Sequence, residues 1–430
     1  MQIAPQLPDR PVNDMFLRMG PPAELLQATA ERLGSLPPVR VNAHIHLPPN
    51  FSAFDSVEEA VRLAAEQKID VLGTSNYYDY HVYREFADRA SKQRIFPLFG
   101  IETIALLDGL ATDGIKLNDP GNPGKMYLCG KGIHRFDPLA PEASALLEVV
   151  RAKDAARMAR MTARLTELFR AAGLETGLNE EAVKDQIVRR HGSPKETVYL
   201  QERHVAQAFQ EAVFERVPSG ERAAFLAGLF GAASKSPEDA ATVQGEIRSH
   251  LMKAGKPGFV EETFVDFNHA YQLVLALGGI PCYPTLADGA SPICPFETPV
   301  EKLIEEIKAR GIYFAELIPV RNSPEVLTHY VTSMRKAGLV ITAGTEHNTR
   351  DMLPIEPTCV NGQPIPPVVG EVFREGACVA AAHQYLGFRG EPGYVDSEGR
   401  LNSGFSGSEE RIQAFRSLGE AAIAKYRESC

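Results

Sequence analysis

The stretch Arg40-Val41-Asn42-Ala43-His44-Ile45-His46-Leu47, residues 40–47, alternates polar and apolar side chains over the length of one strand and ends on two histidines. In a strand, residues i and i+2 share a side, so both imidazoles leave the strand end in one direction, as a shared metal ion requires. An isolated H-x-H is more often a pair of surface or core histidines. The rest of the chain changes that reading. Six more apolar runs of strand length follow: DVLGTSNYY (70–78), IFPLFGIETI (95–104), MYLCGKGI (126–133), GGIPCYP (278–284), IYFAELIPV (312–320) and LVITAGTEHNT (339–349). Segments 57–68, 299–311 and 323–338 between them carry apolar residues at helical spacing, the last two ending at glycine. Strands alternating with helices predict a parallel α/β fold, and seven strands suit a barrel better than an open sheet. The C-terminal strand ends of such a barrel surround one mouth. Glu102 on the third run and Glu346-His347 on the last then join the two histidines, and this donor set suits zinc, manganese or iron.

The 430 residues, 44% of them hydrophobic, suffice for one large core and a smaller second one. A net charge of −10 with both signs interspersed offers neither a basic stripe for nucleic acid nor a polybasic membrane anchor. The sequence holds no apolar stretch of bilayer-spanning length and no N-terminal signal peptide, which predicts a cytoplasmic protein. Six scattered cysteines without C-x-x-C pairing argue for reduced, packed thiols.

Strand-like patterning lapses between 138 and 264, where the chain turns helical and charged. This reads as a cap inserted into a barrel formed by 39–137 and 265–390, with an N-terminal extension over 1–38 and a helical tail over 391–430. The first cap helix runs from about Pro141 to Gly173, and two late helices lie near 369–387 and 408–428.

These residues resemble the polymerase and histidinol phosphatase (PHP) superfamily of metal-dependent phosphoesterases. The family's H-x-H, G-x-E and G-S-D-A-H motifs match His44-Ile45-His46, Gly100-Ile101-Glu102 and Gly344-Thr345-Glu346-His347-Asn348. The helix-strand stretch 270–284 and the strand 312–322 are similar to further family units. The insertion resembles the helical cap of the nucleotide-phosphatase branch, in which an R-P-H-I-A motif touches substrate phosphate. His204 matches that histidine, with Arg203 as its displaced arginine. The resemblance implies a distorted seven-stranded (β/α) barrel and up to three metals. Two of those metal sites are dismantled here: Asn76 and Asn348 replace ligands of one, Tyr127 and Tyr283 those of another. The third survives as His44, His46, Glu102 and Glu346, which implies a single divalent ion.

Losing the other ions leaves the substrate's charge to the protein. Arg321, Arg203, His204 and His134 are the cationic candidates. Asn76, Tyr127 and Asn322 are candidate substrate contacts, and His347, Tyr283 and Arg321 candidate catalytic groups, with tyrosines in former ligand positions able to donate a proton. Each also has a plain structural reading, as helix cap, packing residue or solvated loop. The expected function is a metal-dependent hydrolase of a small anionic substrate, a phosphoester. A single-metal lyase or isomerase of a sugar or sugar acid and a non-catalytic metal-binding scaffold are the alternatives. The partner expected is a small molecule, with neither nucleic acid nor membrane, and homo-oligomerisation remains open.

Overall fold

The computed structural model describes residues 12–30, 38–349 and 352–429. Each of the seven anticipated runs forms a strand: β1 (Val41–Ile45), β2 (Val71–Thr74), β3 (Phe96–Leu106), β4 (Lys125–Lys131), β6 (Ile280–Thr285), β7 (Phe314–Leu317) and β8 (Val340–Ala343). A two-residue strand, β5 (Val265–Asp266), pairs with β3 and was not foreseen. The sheet order is β1-β2-β3-β4-β6-β7-β8. A bridge between Ile45 and Glu346 brings its two edges together, giving a nearly closed, distorted (β/α) barrel.

One expectation fails. The run 126–133 forms β4, which is antiparallel to both β3 and β6 instead of parallel. The reason is the connection: only the five-residue helix Asp108–Thr112 separates β3 from β4, too little for a crossover back to the starting edge. The polarity matters for function. It is the start of β4, carrying Tyr127, that faces the barrel mouth, while its far end delivers His134 to the opposite pole. There His134 packs between Gly278 and Gly387, near His383.

The helices Val57–Glu66, Val300–Ala309 and Pro324–Lys336 cover the barrel with their apolar faces inward. Ser56 and Ser323 cap two of them by accepting from Glu59 and Val326 N–H groups. The late helices fall at Pro367–Phe388 and Ser408–Ser429 and pack on each other. Between β4 and β5 lie the long helix Pro141–Ala171 and four shorter ones, Glu180–His191, Glu202–Arg216, Ser219–Phe230 and Ala240–Ile247. Met161, Leu165, Phe169, Val205, Phe209 and Val243 belong to a buried apolar cluster of their own there, separate from the barrel core. Among the described residues no helix is long and apolar enough to cross a membrane. The five described cysteines are buried and unpaired; Cys430 and, in the N-terminal extension, residues 1–11 and 31–37 lie outside the described residues.

Candidate metal centre

Strand alternation and the closure of the barrel bring three donors to one point. The β1 end is zipped to the loop after β8: His46 N–H donates to the Glu346 carbonyl, and the Thr345 and Glu346 N–H groups donate to the His44 carbonyl. Gly344 permits this approach, because a Cβ there would lie 2.3 Å from the Cβ of His44. His44 Nε2 lies 3.3 Å from His46 Nε2, Glu102 Oε2 lies 3.3 Å from the first and 3.2 Å from the second. A tetrahedral zinc with bonds of about 2.0–2.1 Å holds its donors about 3.3–3.4 Å apart, so this triangle has the right size. All three side chains are at most 5% exposed. Glu102 Oε2 receives no hydrogen bond, although Tyr77 donates to Oε1 at 2.6 Å. A buried carboxylate oxygen left bare between two imidazole nitrogens fits a cation.

Behind this triangle stands a buried charge relay. His44 Nδ1 lies 2.6 Å from Glu316 Oε2; a carboxylate only accepts, so Nδ1 keeps its proton, and loss of the other proton would free Nε2 for the metal position. Glu316 Oε1 pairs with Lys131 Nζ at 2.5 Å, and Lys131 also donates to the Ala43 carbonyl at 3.2 Å. Burial alone would raise the Glu316 pKa, but Lys131 and His44 outweigh it and pull it down. Burial likewise disfavours a charged His44, yet Glu316 and Glu102 lift its pKa to about 9. For His46 burial wins and lowers it. Glu102 is held below the usual carboxylate range by the two histidines, against burial.

The fourth anticipated ligand, Glu346, stands at the same mouth with its oxygens occupied. Arg321 clamps it with Nη1 to Oε1 at 2.9 Å and Nη2 to Oε2 at 2.5 Å, and Asn348 donates to Oε2 at 2.6 Å. Glu346 and His347 both have left-handed backbone, with φ of 58° and 50°. That turn carries His347 away from the donors: Nδ1 meets Thr345 Oγ1 at 2.7 Å, Nε2 donates to the Leu353 carbonyl at 3.0 Å, and the ring stacks on Phe54.

Four other anticipated residues are spent inside the scaffold. Asn76 uses both ends of its amide on the Leu47 peptide, bracing the loop after β1. Tyr283 points outward from β6 and donates to Glu297 Oε1 at 3.0 Å. Asn322 donates to the Leu286 carbonyl and to Asp288, fixing the turn before the helix at Pro324. His204 belongs to a helix cap, its Nδ1 accepting from Gln201 N–H at 3.1 Å, with its edge toward Phe51.

Arg203 and Tyr127 do reach the centre. With His44, Glu102, Arg321 and Glu346 they line a cavity of about 320 Å³, to which the helical insertion also contributes Arg248 and Lys253. Arg203 has no ion-pair partner among the described residues. Burial and the neighbouring Arg248 lower its pKa to about 10, so it stays charged at neutral pH. Lys253 pairs with Glu202 at 2.8 Å, while Arg248 lies 3.7 Å from that carboxylate and its buried Nε lacks a partner. The Tyr127 hydroxyl stays protonated, its pKa pushed up to about 12 by burial.

Solved structures share this architecture, two of them as follows. An amidohydrolase from Chromobacterium violaceum, solved with bound sulfate and no metal, matches 78% of this chain and 97% of its own at a TM-score of 0.50 and 19% identity. A protein provisionally described as a metal-dependent phosphoesterase, from Bifidobacterium adolescentis, matches 78% of this chain and 95% of its own, at 0.50 and 15% identity. The likeness is one of fold. No family model and no curated protein matches the sequence.

Sequence reasoning passed over Glu316, Lys131 and Cys129. The first two carried a usable signal, since an ionisable residue in the middle of an apolar strand must find a buried partner. Cys129 offers its sulfur within 4.8 Å of donor atoms on both His44 and Glu102. A free cysteine in a strand is ordinarily core, and nothing in its spacing set it apart.

Proposed function

We propose that this protein is a metal-dependent hydrolase of the PHP type acting on a small anionic substrate, a phosphoester, with one divalent ion held by His44, His46 and Glu102. One observation carries the reading: a donor triangle with sides of 3.2–3.3 Å lies at the floor of a cavity walled by Arg203 and Arg248. A divalent ion there supplies Lewis acidity towards a substrate oxygen and eases the ionisation of water.

The chain's own groups divide the remaining tasks. Arg203 presents an uncommitted guanidinium to the substrate's anionic group, a charge-assisted contact. Arg248, held only loosely by Glu202 at 3.7 Å, adds a second guanidinium to the cavity wall. The Tyr127 hydroxyl donates a hydrogen bond to substrate without ionising. Arg321 neutralises Glu346, which would otherwise repel an anion at the mouth. Tyr77 holds the Glu102 carboxylate in one orientation through Oε1 and stacks on the His46 ring at 5.3 Å.

The test is a substrate panel on full-length protein, stripped by chelation and reloaded with zinc, manganese or iron. Phosphomonoesters, phosphodiesters and sugar acids are compared. Metal-dependent release of phosphate or alcohol from a phosphoester supports the proposal. Turnover confined to sugar acids, or phosphoester turnover indifferent to metal, overturns it.

A further inference from the structure

We infer that Cys129 is a thiolate ligand of the metal centre and makes the site selective for zinc over manganese and magnesium. The inference rests on the metal centre proposed above and adds to it a fourth protein donor and the identity of the ion.

The placement comes from the antiparallel polarity of β4. Tyr127, Cys129 and Lys131 alternate on one side of that strand. Tyr127 reaches the cavity above and Lys131 meets Glu316 below. Cys129 therefore sits between them, inside the barrel at the depth of the donors. Its partner across the β3–β4 pair is Glu102 itself, and directly opposed residues in such a pair hold their Cβ atoms about 4.5–5.5 Å apart. Its sulfur falls within 4.8 Å of donor atoms on both His44 and Glu102. The second observation is Glu102 Oε2, on a side chain 5% exposed, which accepts no hydrogen bond and faces the ring nitrogens of His44 and His46 at 3.3 and 3.2 Å, an arrangement that fits a cation independently of the cysteine.

Charge balance favours a thiolate. Glu316 is neutralised by Lys131 and Glu346 by Arg321, which leaves Glu102 as the one carboxylate available to a dication here. A dication with Glu102 alone would leave a net positive charge in a buried site; ionised Cys129 cancels it. On metal binding the thiol proton would be released to bulk water through the adjoining cavity, and an S–metal bond would replace the S–H bond, with no redox change. Burial raises the Cys129 pKa well above its ordinary value, so the thiolate depends on the ion. A thiolate beside two imidazoles suits zinc, whereas manganese and magnesium prefer oxygen donors. Two imidazoles, one carboxylate and one thiolate would fill a tetrahedral shell, so a substrate oxygen would enter from the cavity side only as a fifth ligand.

Cobalt(II) reports directly on sulfur ligation. The chelated full-length protein is titrated with cobalt, alongside Cys129→Ser and Cys282→Ser; Cys282 lies directly across from Cys129 on β6. The expected result is a thiolate-to-cobalt charge-transfer band in the near ultraviolet, present in the native chain and in Cys282→Ser and absent from Cys129→Ser. In competition, Cys129→Ser should lose at least tenfold in zinc affinity while its manganese affinity stays level. Visible cobalt bands without the charge-transfer band overturn the inference and leave the His44–His46–Glu102 centre standing. No cobalt uptake at all overturns that centre and this inference together. A band that persists in Cys129→Ser assigns the sulfur elsewhere and overturns it. Should Cys129→Ser not fold, X-ray absorption on the native zinc form decides, a sulfur shell at about 2.3 Å supporting the ligand and its absence contradicting it.

Discussion

Glu316 determines which nitrogen of His44 faces the donor triangle, because its carboxylate can only accept the Nδ1 proton. Glu316→Gln could donate as well as accept, so the preferred tautomer is lost. The protein should bind its metal about 10- to 100-fold more weakly, as read by competition with a chelator; unchanged affinity would show that the relay is idle. Glu297 supports a different loop, its carboxylate accepting from the Leu286 and Ala287 N–H groups and from Tyr283. Burial raises its pKa to about 7, against those hydrogen bonds. The folded state therefore holds this proton where the unfolded chain has released it. Stability from this group is present at low pH and is lost as pH rises from about 4.5 through 7, amounting to about 3 kcal/mol. Urea unfolding at pH 5 and 7.5 should show a steeper decline for the native chain than for Glu297→Gln, and equal declines would refute the assignment. The two histidines and Glu102 were legible because strand alternation and barrel topology fix where such residues point. Tyr283 and Asn322 were not, since their partners, Glu297 and Asp288, lie on a loop whose path no local pattern encodes.

At the scale of elements, the helical insertion and the barrel meet through buried charge. Lys125 on β4 pairs with Asp119 at 3.1 Å and Glu262 at 3.0 Å, and Arg157 on the long insertion helix pairs with Glu202 at 2.6 Å. These pairs fix the helix that presents Arg203, the next residue after Glu202. Arg203→Ala should raise KM for an anionic substrate about 10- to 100-fold, the size of one lost charge-assisted contact of about 1.5–3 kcal/mol, with metal content unchanged. His204→Ala should instead cost about 1 kcal/mol of stability through the helix cap and leave KM alone. The reverse pattern, a kinetic defect in His204→Ala only, would mean that the roles of the two neighbours are interchanged. The helices themselves were readable from apolar spacing and glycine stops. The direction of β4 was not, because its apolar run looks the same in a parallel or an antiparallel strand and only the short connection from β3 distinguishes them.

For the whole molecule, a nearly closed barrel places donors from β1 and β3, with the loop after β8, around one mouth and sets a charged helical layer over it. Residues separated by more than fifty positions meet there because strand ends converge, which is why the sequence order of motifs already outlined the centre while the partners behind it stayed hidden. The central claim is a single transition-metal site built on His44, His46 and Glu102. Elemental analysis of the purified chain and of Glu102→Ala tests it most directly. The account predicts about one transition-metal ion per native chain and loss of that ion in a folded Glu102→Ala protein; two or three tightly held ions in the native chain, none at all, or full occupancy in the variant would contradict it.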